Sequence, residues 1–439
     1  AHAEAEDRTI EAVETFEGNV EDLQAEFEAR GEEFAEQFEE QVAEVQEQVE
    51  DVTDELAEAA EQQVEAQVEA AGESLEAVNG LGTTYATRLR EEGIESLEAL
   101  AEAQAAAARR HGAGARASHL VSGHLAIHEA LEQRLASFTG RPAALLFSTG
   151  YMANLGVLQA LCDSDTQVFQ DRLNHASLLD GARLAGARSR RFHHGDRDDL
   201  ERLLARTPHD GRRLVVSDGV FSMDGDVADI AGLAATSQRH GAWLMVDDAH
   251  GLGVLGEAGD GCVGRAHGVD EVPVLVGTLG KALGSAGAFV AGDRALIEHL
   301  IQFARPYAYT TGQPPGVAAA TLEALALLEA EPERRHRLSA LIARFRREAG
   351  ALGLPLAASA TPIQPLLLGD AAQVMRWAAR LAERGILVGA IREPTVPRGQ
   401  SRLRITLSAA HSDADLEALL EGLASCQVHD SAGLREGTA

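Results

Sequence analysis

Between residues 143 and 292 the chain repeats short apolar runs separated by longer amphipathic stretches. AALLF (143–147), TQVFQ (166–170), RLVVS (213–217), AWLMVDD (242–248), PVLVGT (273–278) and GAFVAG (287–292) are nearly continuous in apolar residues. Strands buried on both faces of a parallel sheet have that texture. With helical stretches between them, the runs predict an α/β domain with a mainly parallel sheet over 103–304. From about Arg305 the pattern turns to long helices, then to an extended segment, IREPTVPRGQSRLRITL (391–407), and a closing helix near 412–424. This predicts a smaller α+β C-terminal domain over 305–427, followed by a tail, 428–439.

The front of the chain is different. Ile10, Val13, Phe16, Val20, Leu23 and Phe27 begin an apolar series at spacings of three and four that continues to about Val68. Residues 1–74 therefore read as an acidic amphipathic helix of coiled-coil type, whose stripe asks for a partner helix. Residues 75–102 place an NGLG turn before a short helix, then EEGI and a second helix. That unit resembles a helix-hairpin-helix motif, in which glycine-turn amides face a phosphate.

Charge argues against nucleic acid as its ligand. Of the formal −31, residues 1–100 carry 31 acidic and 4 basic side chains, a net of −27. A field of that sign repels phosphate backbones and anionic lipid, so neither nucleic-acid nor membrane binding is expected. Cys162, Cys262 and Cys426 are odd in number and form no CxxC pair, and no apolar run is long enough to span a bilayer. A reducing, cytoplasmic setting is expected.

Candidate chemistry gathers in the turns after the apolar runs, where open α/β sheets bind ligands. STGYMAN (148–154) opens a helix, so the amides of Gly150 and Tyr151 can face a phosphate. LNHASLLDG (173–181) carries His175, VFSMDGD (220–226) carries Ser222, DDAHG (247–251) carries Asp247 and His250, and TLGKALG (278–284) carries Thr278 and Lys281. Among 38 basic residues only one, Lys281, is lysine. A lysine amine can lose its proton and attack a carbonyl, which a guanidinium does not do. Each residue also has a plain structural use: His175 can cap a helix, Asp247 can pair with an arginine and Ser222 can close a turn. Five such turns in order, with one lysine, favour a cofactor site. A lysine to form an imine, a carboxylate to hold a pyridinium and an aromatic face to cover the ring are what pyridoxal phosphate requires.

The same segments carry a resemblance. HLVSGHLAIHEALE (119–132), LNHASLLDG, VFSMDGD, VDDAHGLGVLG (246–256), TLGKALG and PTVPRGQSRLRITLSAAH (394–411) are similar, in order, to blocks of the α-oxoamine synthases. These are fold-type-I pyridoxal-phosphate enzymes that condense an amino acid with an acyl thioester and release carbon dioxide. The resemblance implies that Lys281 is the Schiff-base lysine and moves the proton at the substrate α-carbon. It further implies that Asp247 pairs with the pyridine nitrogen, His175 stacks on the ring and His250 binds the ring oxygen. Gly150, Tyr151 and Thr278 would lie at the phosphate and Ser222 beside the ring. Arg404 would hold the amino-acid carboxylate and Thr395 line the acyl site. A homodimer is implied, with YTTGQPP (309–315) reaching into the partner's site. IREPTVP and IQPLLLGD (363–370) look most like the biotin-pathway members, which join L-alanine to a pimeloyl thioester on CoA or a carrier protein. Relatives using glycine with acetyl-CoA or succinyl-CoA share the cofactor residues. A non-catalytic assembly protein built on the same fold is the reading from a different class.

Overall fold

The structure, a computed structural model, describes residues 95–207 and 211–436. The acidic helix expected at 1–74 and most of the hairpin-like unit at 75–102 lie outside the described residues. The first described element is a helix, Glu95–His111, which runs through the boundary expected at 102/103.

Seven strands form the large sheet: β1 (Ala143–Phe147), β2 (Gln167–Asp171), β3 (Arg188–Phe192), β4 (Arg213–Asp218), β5 (Trp243–Asp247), β6 (Val274–Thr278) and β7 (Ala288–Gly292). Their spatial order is β1-β7-β6-β5-β4-β2-β3, and only β7 runs against its neighbours. The sheet is thus mainly parallel, and each expected apolar run is a strand within one residue or so of its predicted ends. The strand that the apolar pattern does not signal is β3, RSRRF. It lies at the sheet edge with four of its five residues exposed, so nothing in its environment calls for apolar side chains.

The central strands are buried on both faces. On one side Leu145, Val157, Leu158, Val216, Met245 and Val290 pack together; on the other, Phe169, Leu200, Val215, Leu244 and Leu275 do. Helix Pro315–Ala330 belongs to this large unit, because Ala318, Ala324 and Leu325 pack with Leu131 and Phe289. The large-domain core therefore continues past the boundary expected at 304/305.

The smaller unit is an antiparallel sheet of β8 (Ile363–Gly369), β9 (Gly389–Ile391) and β10 (Ser401–Thr406), ordered β8-β10-β9. Helices Glu333–Ala351, Ala371–Ala382 and Asp413–Glu436 cover it through Phe345, Trp377, Leu381, Leu416 and Leu423. The last helix extends beyond 427, and Asp430 Oδ2 accepts hydrogen bonds from Trp377 Nε1 (2.7 Å) and Gln373 Nε2 (2.8 Å). Part of the expected tail is therefore docked helix.

Phe289 is fully buried on β7, whose antiparallel direction links β1 to the parallel strands. The Phe289→Ala variant is expected to lose about 3–5 kcal/mol of stability through transfer and cavity terms. The denaturation midpoint in urea, followed by circular dichroism, checks this.

Candidate active site

Strands β4, β5 and β6 end side by side, and a cavity of about 180 Å3 opens at their carboxyl ends. Eight residues expected from the sequence line it: Gly150, Tyr151, His175, Ser222, Asp247, His250, Thr278 and Lys281. The fold thus brings together five turns that are far apart along the chain.

Helix Gly150–Leu161 starts at the cavity, with Thr149 capping it by accepting from the Met152 amide at 3.1 Å. At Gly150 the backbone is so close to Thr278 that a Cβ would lie 2.8 Å from Thr278 Cγ2. An amide-rich cradle at a helix N-terminus beside a threonine suits a phosphate group. Tyr151 lies edge-on to His175, with ring centroids 6.4 Å apart, and its hydroxyl donates to Asp180.

At the other side are two carboxylates. Asp218 and Asp247 are register partners at the last rung between β4 and β5, and both are more than nine-tenths buried. Asp247 accepts from Asn154 Nδ2 (2.7 Å) and from the Ala249 amide (3.0 Å). Asp218 accepts from the His175 amide at 2.9 Å, while burial first and Asp247 second push its carboxyl pKa well up. Asp218 is therefore pushed towards its protonated form beside Asp247.

The remaining groups complete that arrangement. Lys281 is exposed towards the cavity, yet the surrounding protein desolvates its amine and lowers its pKa, with Asp247 and Asp218 opposing and Arg404 adding to the shift. A lowered pKa enlarges the neutral, nucleophilic fraction. Burial, with Lys281, Arg404 and His175 nearby, brings the His250 pKa down to about 3, so this imidazole is neutral. His175 does cap helix Ala176–Leu184, accepting at Nδ1 from the Ser177 amide at 3.3 Å, and the ring still lines the cavity. Capping the helix does not take the ring out of the cavity.

Arg404 approaches from β10. Its Nε donates to the Ser222 carbonyl at 2.6 Å and one terminal nitrogen to Thr406 Oγ1 at 3.0 Å. Thr395 is not among the lining residues; it is exposed in the turn where its amide bonds the Arg392 carbonyl at 3.0 Å. Sequence reasoning missed Asn154, Ser177 and Asp218. Asn154 stands four residues after Gly150 on the same helix and hence on the same face, a signal that was available. Its Nδ2 reaches both Asp247 and Ser177 Oγ (2.9 Å), and its buried Oδ1 has no partner among the described residues.

Asp248, adjacent to Asp247 and fully buried, organises the floor. It accepts from the amides of Cys262 (2.8 Å) and Val263 (3.3 Å) and from Cys262 Sγ (3.0 Å). Loop 251–264 wraps so closely that a Cβ at Gly251 or Gly261 would lie 2.0 Å from its carboxylate oxygens. Gly261 also has φ +97°, so both space and backbone conformation require glycine.

The cavity fits pyridoxal phosphate by its donor set: backbone amides at one end, a buried acceptor for a pyridinium at the other and a depressed-pKa lysine beside them. A fold-type-I transferase is the class these features define. The family model for aminotransferase class I and II matches residues 91–423, and the chain belongs to that family. It is 76% identical over 340 residues to the 8-amino-7-oxononanoate synthase of Chromohalobacter salexigens, covering 77% of this chain and 88% of the relative. Among solved structures, the 8-amino-7-oxononanoate synthase of Francisella tularensis is 31% identical at a TM-score of 0.66, over 76% of this chain and 94% of that one. Serine palmitoyltransferase of S. paucimobilis with bound PLP is 31% identical at a TM-score of 0.73, over 76% and 84%. The chain is a pyridoxal-phosphate-dependent acyltransferase of the α-oxoamine synthase type.

Burial raises the Asp248 pKa from 3.8 to about 7, so between those values the folded chain binds a proton that the unfolded chain releases. Stability from this group is present below pH 3.8 and lost as pH rises through about 7. Across that window the Asp248→Asn variant is expected to have a stability–pH slope more positive than wild type. Urea midpoints at a series of pH values read this directly, and parallel profiles would remove Asp248 as the source.

Proposed function

We propose that this chain makes 8-amino-7-oxononanoate from L-alanine and a pimeloyl thioester, carried on CoA or a carrier protein. Supporting this reading is the convergence of Lys281, Asp247, His175 and Gly150 on one cavity, in a chain so close to enzymes of that name. Carbon–carbon bond formation joins the alanine α-carbon to the thioester carbonyl carbon, with loss of carbon dioxide and the free thiol. Pyridoxal phosphate, when bound, supplies an electron-withdrawing ring that takes up the charge left at the α-carbon.

The chain's own residues do the rest. Lys281 holds the cofactor and moves the proton at the α-carbon, a task suited to an amine with a lowered pKa. Asp247 would hold the ring nitrogen's positive charge, while the Gly150 amide and Thr278 would hold the phosphate. His175 would cover one face of the ring, and neutral His250 would donate to the ring oxygen. Arg404, tied by Nε to Ser222 and by one terminal nitrogen to Thr406, has N–H groups left on its two terminal nitrogens to grip the alanine carboxylate. The Thr395 turn, exposed and outside the cavity lining, would line the acyl site.

A homodimer is part of this proposal. Segments 117–121 and 309–312 are joined by the Gly312 amide to the Ala117 carbonyl (3.0 Å), and Leu120, Val121 and Tyr309 are 56%, 79% and 75% exposed there. Apolar groups left on a surface in one place suit an interface. No described helix is long and apolar enough to cross a membrane, and the three cysteines are free thiols, in keeping with a cytoplasmic enzyme.

Thiol release should be fastest with L-alanine and a pimeloyl thioester, and slower with glycine or serine or with acetyl or palmitoyl thioesters. A preference for glycine would reassign the substrate within the family, and no release with any pair would sink the enzyme reading. Arg404→Lys keeps the charge but loses the planar fork, so the KM for L-alanine should rise on the order of tenfold. Cofactor absorbance should stay as in wild type.

A further inference from the structure

His194 lies on the turn after β3, outside the cavity, and has no part in the chemistry above. Its Nδ1 is 3.0 Å from Asp171 Oδ1 and its Nε2 is 2.9 Å from Asp226 Oδ2. A neutral imidazole has one N–H and can serve only one of these carboxylates; an acceptor at each nitrogen selects the imidazolium. Burial opposes that charge, and the hydrogen bonds the ring donates to Asp171 and Asp226 overcome it, raising the pKa to about 10. Phe221 packs edge-on against the ring, with centroids 4.4 Å apart, and holds it in this orientation.

The two carboxylates stand in different segments, one leading to His175 and the other in the loop that carries Ser222, and both of those residues line the cavity. Asp171 closes β2 and also accepts from the amides of Leu173 (2.8 Å) and Gly195 (2.9 Å), shaping the turn that delivers His175. The Asp226 carbonyl accepts from the Phe221 amide at 3.0 Å, closing the loop that carries Ser222, whose own carbonyl holds Arg404. We propose that His194 is a positioning residue whose charged ring, bridging Asp171 and Asp226, sets the spacing between the His175 turn and the Ser222–Arg404 wall. Without the ring, two carboxylates face one gap, and their repulsion together with entering water spreads the walls. This inference rests on the cofactor reading of the cavity.

Full-length holoenzymes of wild type, His194→Gln and His194→Arg test it. The readouts are cofactor retention on dilution, dichroism of the bound cofactor band and thermal midpoint. His194→Gln should hold pyridoxal phosphate on the order of tenfold more weakly, as losing a charge-assisted hydrogen bond implies. It should also show reduced ellipticity per bound cofactor, and His194→Arg, which keeps the charge, should recover at least half of that ellipticity. Wild-type retention and ellipticity in His194→Gln would overturn the proposal, as would a lowered thermal midpoint with both unchanged. If His194→Gln does not fold, Asp226→Asn, which leaves the ring bound to Asp171, is read by the same measures with the same outcomes. Failure of wild type itself to retain pyridoxal phosphate would sink the cofactor reading instead.

Discussion

Two carboxylates cannot sit side by side out of water unless positive charge or protons balance them. Asp218 and Asp247 do sit so, because the parallel register of β4 and β5 makes their last residues partners. The surrounding site follows from this constraint. One carboxyl is pushed towards its protonated form, and the other collects N–H donors from Asn154 and Ala249. A lysine amine and an arginine stand close enough for their charges to be felt, and the space between suits a ring that brings its own cation. Burial first, and the nearby Lys281 and Arg404 second, keep His250 neutral, so it can act as a donor without adding charge.

The smaller unit contributes more than Arg404. Ser359 Oγ (2.8 Å) and Thr361 Oγ1 (2.9 Å) both donate to the Gly225 carbonyl, and Arg402 donates to Asp224 Oδ1 at 2.5 Å. These bonds hold loop 221–226 to the smaller unit. The loop is therefore fixed between two units, and Gly225, at φ +72° with Ile363 O 2.4 Å from where a Cβ would stand, has no room for a side chain. Arg404 and the Ser222 loop are mechanically one piece, since the Arg404 guanidinium takes its bearing from the Ser222 carbonyl.

What was legible in the sequence follows from near neighbours. Buried central strands show as apolar runs because both faces are packed, and six of the seven strands in the large sheet announce themselves so. Turns after those strands can be scanned for chemistry because open α/β sheets place ligands there. A lone lysine among arginines needs no structure to stand out. These signals, with the resemblance they support, were sufficient for the fold class, the cofactor and eight of the residues lining the cavity.

Other features depend on which strands become neighbours and in what register, and no local pattern encodes that. The edge strand RSRRF has no apolar face to betray it. Asp218 looks like the end of a strand until the ladder sets it against Asp247, and His194 looks like a surface histidine until β2 and the Ser222 loop bring a carboxylate to each ring nitrogen. Thr395, assigned to the acyl site by resemblance, lies exposed in its turn and outside the cavity lining. The sequence by itself determined six strands of the large sheet, the turns after them and the lone lysine, because those rest on residue identity and on contacts within a few residues. Only the tertiary structure decided how the charges pair, because a buried charge is set by whatever the fold places within a few ångströms of it.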